Sequence, residues 1–149
     1  PFSDNYGIPL MEIASTQGML TRIHRAVREG RPSQLTASEP TLFRFDPVVQ
    51  AFSDGDETVR VQFFAAARAL GWAAGELSKL FDTSPVIISG LRRMGPLVLD
   101  EIRRAADEQR VESLHRRPRI EASDLFEFAS SLGAAGLVIH RWGPRLEMG

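Results

Sequence analysis

The chain has 149 residues, 43% of them hydrophobic and 25% charged, with a formal net charge of −1 and no cysteine. These values suit one compact domain or a small domain with appended segments. They exclude disulfide and thiol chemistry and an indiscriminate nucleic-acid coat. Mean hydropathy is −0.14, and no run approaches the roughly 20 apolar residues of a membrane span, so no membrane partner is expected. The sequence begins at Pro1 rather than Met, as a trimmed or processed piece would, and shows no secretory signal; the absence of cysteine is compatible with a reducing cytoplasm, the expected location.

Four segments follow from composition and punctuation. Residues 1–40 form an N-terminal arm and helix, with helical spacing in Ile13, Met19, Leu20, Ile23 and Val27 across Met11 to Glu29. Gly30 and Pro32 end that helix, and Ser33 to Pro40 is polar linker. Residues 41–95 hold the principal core. Within it Thr41 to Phe45 (TLFRF) alternates like a short strand, and Asp46-Pro47 opens a brief helix through Phe52. The run Asp54-Gly55-Asp56-Glu57 caps the next helix, since it lacks the ligand ladder of a calcium loop. That helix spans Glu57 to Leu70 and buries Val59, Val61, Phe63, Phe64, Ala67 and Leu70, with Gly71 closing it and Trp72 anchoring the joint.

The run Glu76 to Arg93, ELSKLFDTSPVIISGLRR, reads as two short amphipathic helices around a tight turn. Ala73 to Phe81 forms the first and buries Leu77, Leu80 and Phe81, while Asp82 and Thr83 turn the chain. Ser84 caps the second helix, Pro85 occupies its first position, and Ile88 and Leu91 face inward. The run resembles the broad helix-turn-helix family of DNA-binding regulators through Glu76, Leu77, Ser78, Phe81, Asp82, Thr83, Ser84, Ile88 and Ser89. That resemblance covers about twenty residues and implies a bacterial- or phage-type transcriptional regulator on double-stranded DNA. The candidate DNA contacts are Lys79, Thr83, Ser84, Val86, Ser89, Arg92 and Arg93. Val86 suits a thymine methyl, the serines a base or phosphate, and the arginines phosphates.

Residues 96–120 comprise a long polar helix from Leu97 to Leu114 and the basic hinge His115-Arg116-Arg117-Pro118-Arg119. Leu97, Leu99, Ile102, Ala105, Ala106 and Val111 form a discontinuous apolar stripe. It suits a homodimer, a protein partner or the chain's own core. Residues 121–149 carry a helix from Ser123 to Leu132, a break at Gly133–Gly136, and Leu137 to Trp142 with strand character that could pair with 41–45. The charge is uneven: residues 1–58 carry −3, residues 59–120 carry +4 and residues 121–149 carry −2.

The expected fold is mainly α, a multi-helix domain containing a helix-turn-helix with a small two-stranded β element. His24, His115 and His140 stand apart from any acid at metal-ligand spacing, and neither a phosphate loop nor a nucleophile elbow is present. The expectation is therefore no enzyme, no metal and no cofactor. A second reading, from a different class, is a helical adaptor or phage or mobile-element assembly factor. It would bind protein through the apolar tip at Val86-Ile87 and the 97–114 stripe.

Overall fold

The computed structural model describes residues 7–36, 44–108, 119–125 and 128–142. Its elements are α1 (Leu10–Ala14), α2 (Thr16–Arg28), α3 (Phe45–Ser53), α4 (Glu57–Phe81), β1 (Val86–Ile88), a 3₁₀ turn (Leu91–Met94), α5 (Pro96–Glu108), β2 (Ile120–Ala122) and α6 (Ala129–Trp142). The protein is mainly helical with a small two-stranded parallel sheet.

The single helix expected over 11–29 is two. Ser15 adopts extended backbone and its hydroxyl accepts the Gly18 N–H at 3.0 Å, capping α2. The corner requires Gly18, because a Cβ there would lie 2.1 Å from the Glu12 carbonyl oxygen. Ile13, Met19, Leu20 and Ile23 are buried, as their spacing predicts.

Asp56 starts α4. Its carboxylate accepts the Val59 N–H at 3.1 Å, the Ser33 hydroxyl at 2.6 Å and the Gln34 N–H at 2.7 Å. One side chain therefore caps the helix and ties the 33–34 segment to it. Burial alone would push this carboxyl up; the bonds from Ser33, Gln34, Val59 and Thr58 outweigh it and hold the group below its ordinary value.

Beyond Leu70 the helix does not stop. The expected pair of helices, 57–70 and 73–81, is one helix of 25 residues. Gly71 lies inside it for a packing reason, since its Cβ would fall 2.3 Å from the Ile102 carbonyl oxygen and 2.7 Å from the Ala105 Cβ. Glycine here permits close approach of α5 rather than ending α4. Trp72 is exposed and anchors no joint.

The core lies between these helices. Ile23, Val48, Val59, Phe63, Val98 and Ile102 are its largest fully buried side chains. Phe52 stacks on Phe63 at 4.7 Å between ring centroids. α5 makes its most extensive packing with α4, burying Val98, Ile102, Ala105 and Ala106. The part of the 97–114 stripe formed by Ile102, Ala105 and Ala106 thus covers the chain's own core and is not open to a second copy. Arg68 on α4 pairs with Glu101 on α5 at 3.1 Å, and Arg104 pairs with the same carboxylate at 2.6 Å.

The strands differ from expectation in place and partner. β1 pairs in parallel with β2, Val86 opposite Ile120, Ile87 opposite Glu121 and Ile88 opposite Ala122. The proposed strand at 41–45 has residues 41–43 outside the described set, and Phe45 begins α3. Residues 137–142 belong to α6, which runs through Gly133 and Gly136 instead of breaking there. A helix closes its bonds locally, whereas a strand at 137–142 would need a partner from afar. The helix expected over 123–132 is displaced: Ser123 heads a turn, accepting the Leu125 N–H at 3.2 Å, and residues 126–127 lie outside the described set. Residues 109–118, with most of the basic hinge, lie outside it too; Arg119 is exposed and pairs with Glu121 at 2.7 Å.

Candidate functional site

The residues singled out between 79 and 93 do not share a helix face. α4 runs to Phe81 and closes on Asp82, whose φ of 47° is left-handed. The Ser78 hydroxyl donates to the Thr83 carbonyl at 2.6 Å, and Lys79 pairs with Glu76 on its own helix. Ser84 and Pro85 are exposed and joined by a cis peptide. Val86 is half-buried in β1, where its N–H donates to the Arg119 carbonyl at 2.8 Å. Ser89 is an exposed bend residue after the strand. The backbone of Arg92 and Arg93 is in the 3₁₀ turn, and their side chains lie outside the described set.

The helix-turn-helix is therefore corrected: Ser84 caps no helix, and the second helix is replaced by a strand. The cause is the β-branched run Val86-Ile87-Ile88, stiff at χ1 and suited to a pleated surface once Ile120 to Ala122 pairs with it. Leu77, Leu80 and Phe81, expected inside, are exposed; Leu80 is 74% and Phe81 68% accessible. Among the described residues, no second helix folds back on them.

In place of the recognition element stands a β1–α5–β2 unit, a parallel strand pair joined by a crossover helix. β1 leaves through Ser89 and Gly90 (φ 84°), and α5 starts after Gly95 (φ 75°). The Ser123 N–H donates to the Ile88 carbonyl at 2.9 Å, holding the two strand exits together. The carboxyl ends of the two parallel strands bring Ser89, Gly90 and Ser123 to one edge of the pair.

A second region lies at the opposite end of the chain, in a cleft between α1, α2 and α4. This cavity, of about 560 Å³, is lined by Ile8, Met11, Glu12, Gln17, Thr21, Arg22, Arg25 and Gln62 among others. An adjoining cavity of about 450 Å³ shares Arg22, Arg25 and Gln62 and adds Arg31, Glu29 and Glu57. The Arg22 Nε donates to Gln62 Oε1 at 2.9 Å and its Nη1 to the Glu12 carbonyl at 3.0 Å. Its Nη2 is buried without a partner among the described residues. Burial of the guanidinium, reinforced by the neighbouring Arg25 cation, pushes the Arg22 pKa below the usual arginine value. Sequence reasoning missed this pair. Its local signal is Arg-x-x-Arg on one face of α2; Gln62, which completes the arrangement, comes from 40 residues away. Among the described residues, no group of three or more His, Cys, Asp or Glu is placed to hold a metal ion, and no helix is long and apolar enough to cross a membrane.

No family model and no curated protein sequence matches the chain. Solved structures do. A ROK family transcriptional regulator, homologue of the E. coli MLC protein, superposes with TM-score 0.65 at 22% identity, covering 76% of this chain and 28% of the regulator. A ROK family glucokinase from Streptomyces griseus, solved with glucose and AMPPNP, gives TM-score 0.70 at 22% identity, covering 86% of this chain and 43% of the enzyme. A candidate sugar kinase from Cytophaga hutchinsonii gives 0.64 at 16% identity, covering 89% of this chain and 48% of that one. The chain thus shares their fold over less than half of their length. The expectation of no enzyme is corrected by this likeness: a glucokinase and a sugar kinase share the fold, so the lack of familiar motifs in this chain does not exclude an enzyme.

Proposed function

We propose that this chain is the helical portion of a ROK-type protein and serves a DNA-binding transcriptional regulator as its supporting and ligand-responsive unit. The observation that carries the reading is the overlap with the ROK regulator over 76% of this chain but 28% of that protein. Most of such a regulator lies beyond the shared fold, so the element that reads base pairs has room elsewhere. Within this chain, Thr83, Ser84, Val86 and Ser89 then serve the turn and the strand. Lys79, Arg92 and Arg93 are left as the residues through which this segment would meet phosphates.

The test is fluorescence anisotropy of the intact protein with mixed genomic duplexes at low and moderate salt. Salt-sensitive binding that is weakened but not abolished by an Arg92→Ala/Arg93→Ala double substitution is expected. Loss of binding in that variant would return the DNA contact to residues 92–93, and no binding by the unaltered protein would remove the regulator reading.

A second reading, part of a sugar kinase, is favoured by one observation: the glucokinase overlay is both wider and closer, at 86% coverage and TM-score 0.70. Calorimetric binding of glucose together with AMPPNP, and glucose-dependent release of ADP from ATP, would establish it in place of the regulator.

A further inference from the structure

We propose that the cleft between α1, α2 and α4 binds a phosphoryl group through Arg22 and Arg25. The argument begins with the geometry of one side chain. Arg22 reaches across from α2 with Nε fixed on Gln62 and Nη1 fixed on the Glu12 carbonyl, and its Nη2 is enclosed without an acceptor. A buried charged donor left without a partner is destabilising, so a conformation that retains it invites an acceptor from outside.

The second cation lies one turn further along α2. Arg25 lines the same cleft, and the charged lining of the larger cavity is Glu12, Arg22 and Arg25, a surplus of one positive charge before any ligand enters. Its electrostatic effect on Arg22 shows that the two guanidinium groups feel one another. A bound anion would relieve that repulsion and supply the missing acceptor together.

The choice of phosphoryl over carboxylate follows from which donors are still open. A carboxylate is held best by the paired nitrogens of one guanidinium. In Arg22 the Nε N–H and one Nη1 N–H are already engaged, which closes the side-on fork that pairs Nε with an Nη. A tetrahedral group instead collects single donors from several directions, and Arg22 and Arg25 line one cleft from successive turns of α2, while the Thr21 hydroxyl beside them already donates to the Gln17 carbonyl at 2.9 Å. At about 560 Å³ the cavity exceeds a bare phosphate ion, and its Ile8 and Met11 walls leave room for the organic part of a monoester. The corner that presents these groups is held by the Ser15 cap and the close approach at Gly18, so the site sits on rigid backbone. This site is independent of whether the intact protein reads DNA.

The experiment is a calorimetric titration of the protein with inorganic phosphate, with glycerol phosphate and with succinate, each at matched ionic strength. Saturable binding of phosphate or of the monoester is expected, with Arg25→Ala weakening it by roughly tenfold or more. Arg25 is exposed, so circular dichroism should be unchanged by its substitution. Arg22→Gln, which keeps a polar group beside Gln62, should abolish binding. Tighter binding of the monoester identifies an organic phosphate as the ligand, and equal binding identifies free phosphate. No saturable binding at millimolar phosphate or monoester would overturn the proposal. So would binding unaltered in Arg25→Ala, or a response to succinate alone.

Discussion

Two helices of nearly equal length, α5 and α6, end in opposite situations. α5 has 13 residues, many of them charged, yet it buries Val98, Ile102, Ala105 and Ala106 against α4. α6 has 14 residues and a far more apolar sequence, ASSLGAAGLVIHRW, yet Leu132, Leu137, Val138 and Ile139 are all exposed. Apolar content therefore does not decide burial in this protein. Spacing and a complementary surface do: the apolar residues of α5 recur at three and four and meet small residues of α4, above all Gly71.

If that is right, damage should concentrate at the α4–α5 seam. Removing the side chain of Ile102, or of Phe63, which stacks on Phe52 of α3, leaves a cavity in the buried core. Ile102→Ala and Phe63→Ala should each destabilise by about 3–5 kcal/mol in urea unfolding. Values under 1 kcal/mol would mean that the seam is not the stabilising contact. Gly71→Ala probes the same seam from the opposite direction. The added carbon meets the Ile102 backbone, which cannot swing away like a flexible side chain. A loss of about 1–3 kcal/mol is expected, in a helix where alanine is otherwise the better former. Stabilisation by this substitution would show that the helices are not in close contact.

The next effect in size belongs to Asp56, where a polar group rather than an apolar one joins two segments. Asp56→Ala removes the acceptor for Ser33, Gln34 and Val59 and should lose about 2 kcal/mol. Its pH dependence has a definite sign. Because the folded carboxyl lies below its ordinary value, its contribution is complete above the unfolded pKa. It fades as acid protonates the folded group, over a window from about pH 4 downward. Asp56→Asn should flatten stability against pH in that window. An unchanged slope would mean that Asp56 does not contribute through its charge.

How far the sequence foretold all this depends on whether the deciding contact is local. Asp56 as a cap, Gly30 as a stop, Met19, Leu20 and Ile23 inside α2 and Val59, Phe63 and Ala67 inside α4 follow from spacing and capping within a few residues and are observed, whereas Val61, expected inside, is exposed. The segment 82–93 was misread because its local signals agree with one another: a cap residue, a proline and an inward pair suit a helix start. The contact that makes Val86–Ile88 a strand comes from Ile120–Ala122, more than thirty residues on. Gly71 misled for a related reason, since in isolation it resembles a helix end and only α5 reveals it as a point of close approach. The arginine cleft was hidden in the same way. Arg22 and Arg25 are ordinary on an exposed face until Gln62 and the Glu12 carbonyl immobilise one of them.

The smallest effect is expected on α6, and it tests the comparison most directly. Leu137 is 71% exposed, so replacing it removes little apolar contact. Leu137→Ser should change urea stability by no more than about 0.5 kcal/mol, the range of an ordinary surface substitution. The same change at a position buried like Ile102 would remove a core side chain and introduce a hydroxyl without an assured partner. A loss at Leu137 comparable to that of Ile102→Ala would mean that α6 is covered in solution. The contrast between a matched and an unmatched helix would then disappear. A negligible loss, accompanied by weaker self-association in sedimentation, would instead place the apolar side of α6 on the outside of the folded chain, available to other molecules.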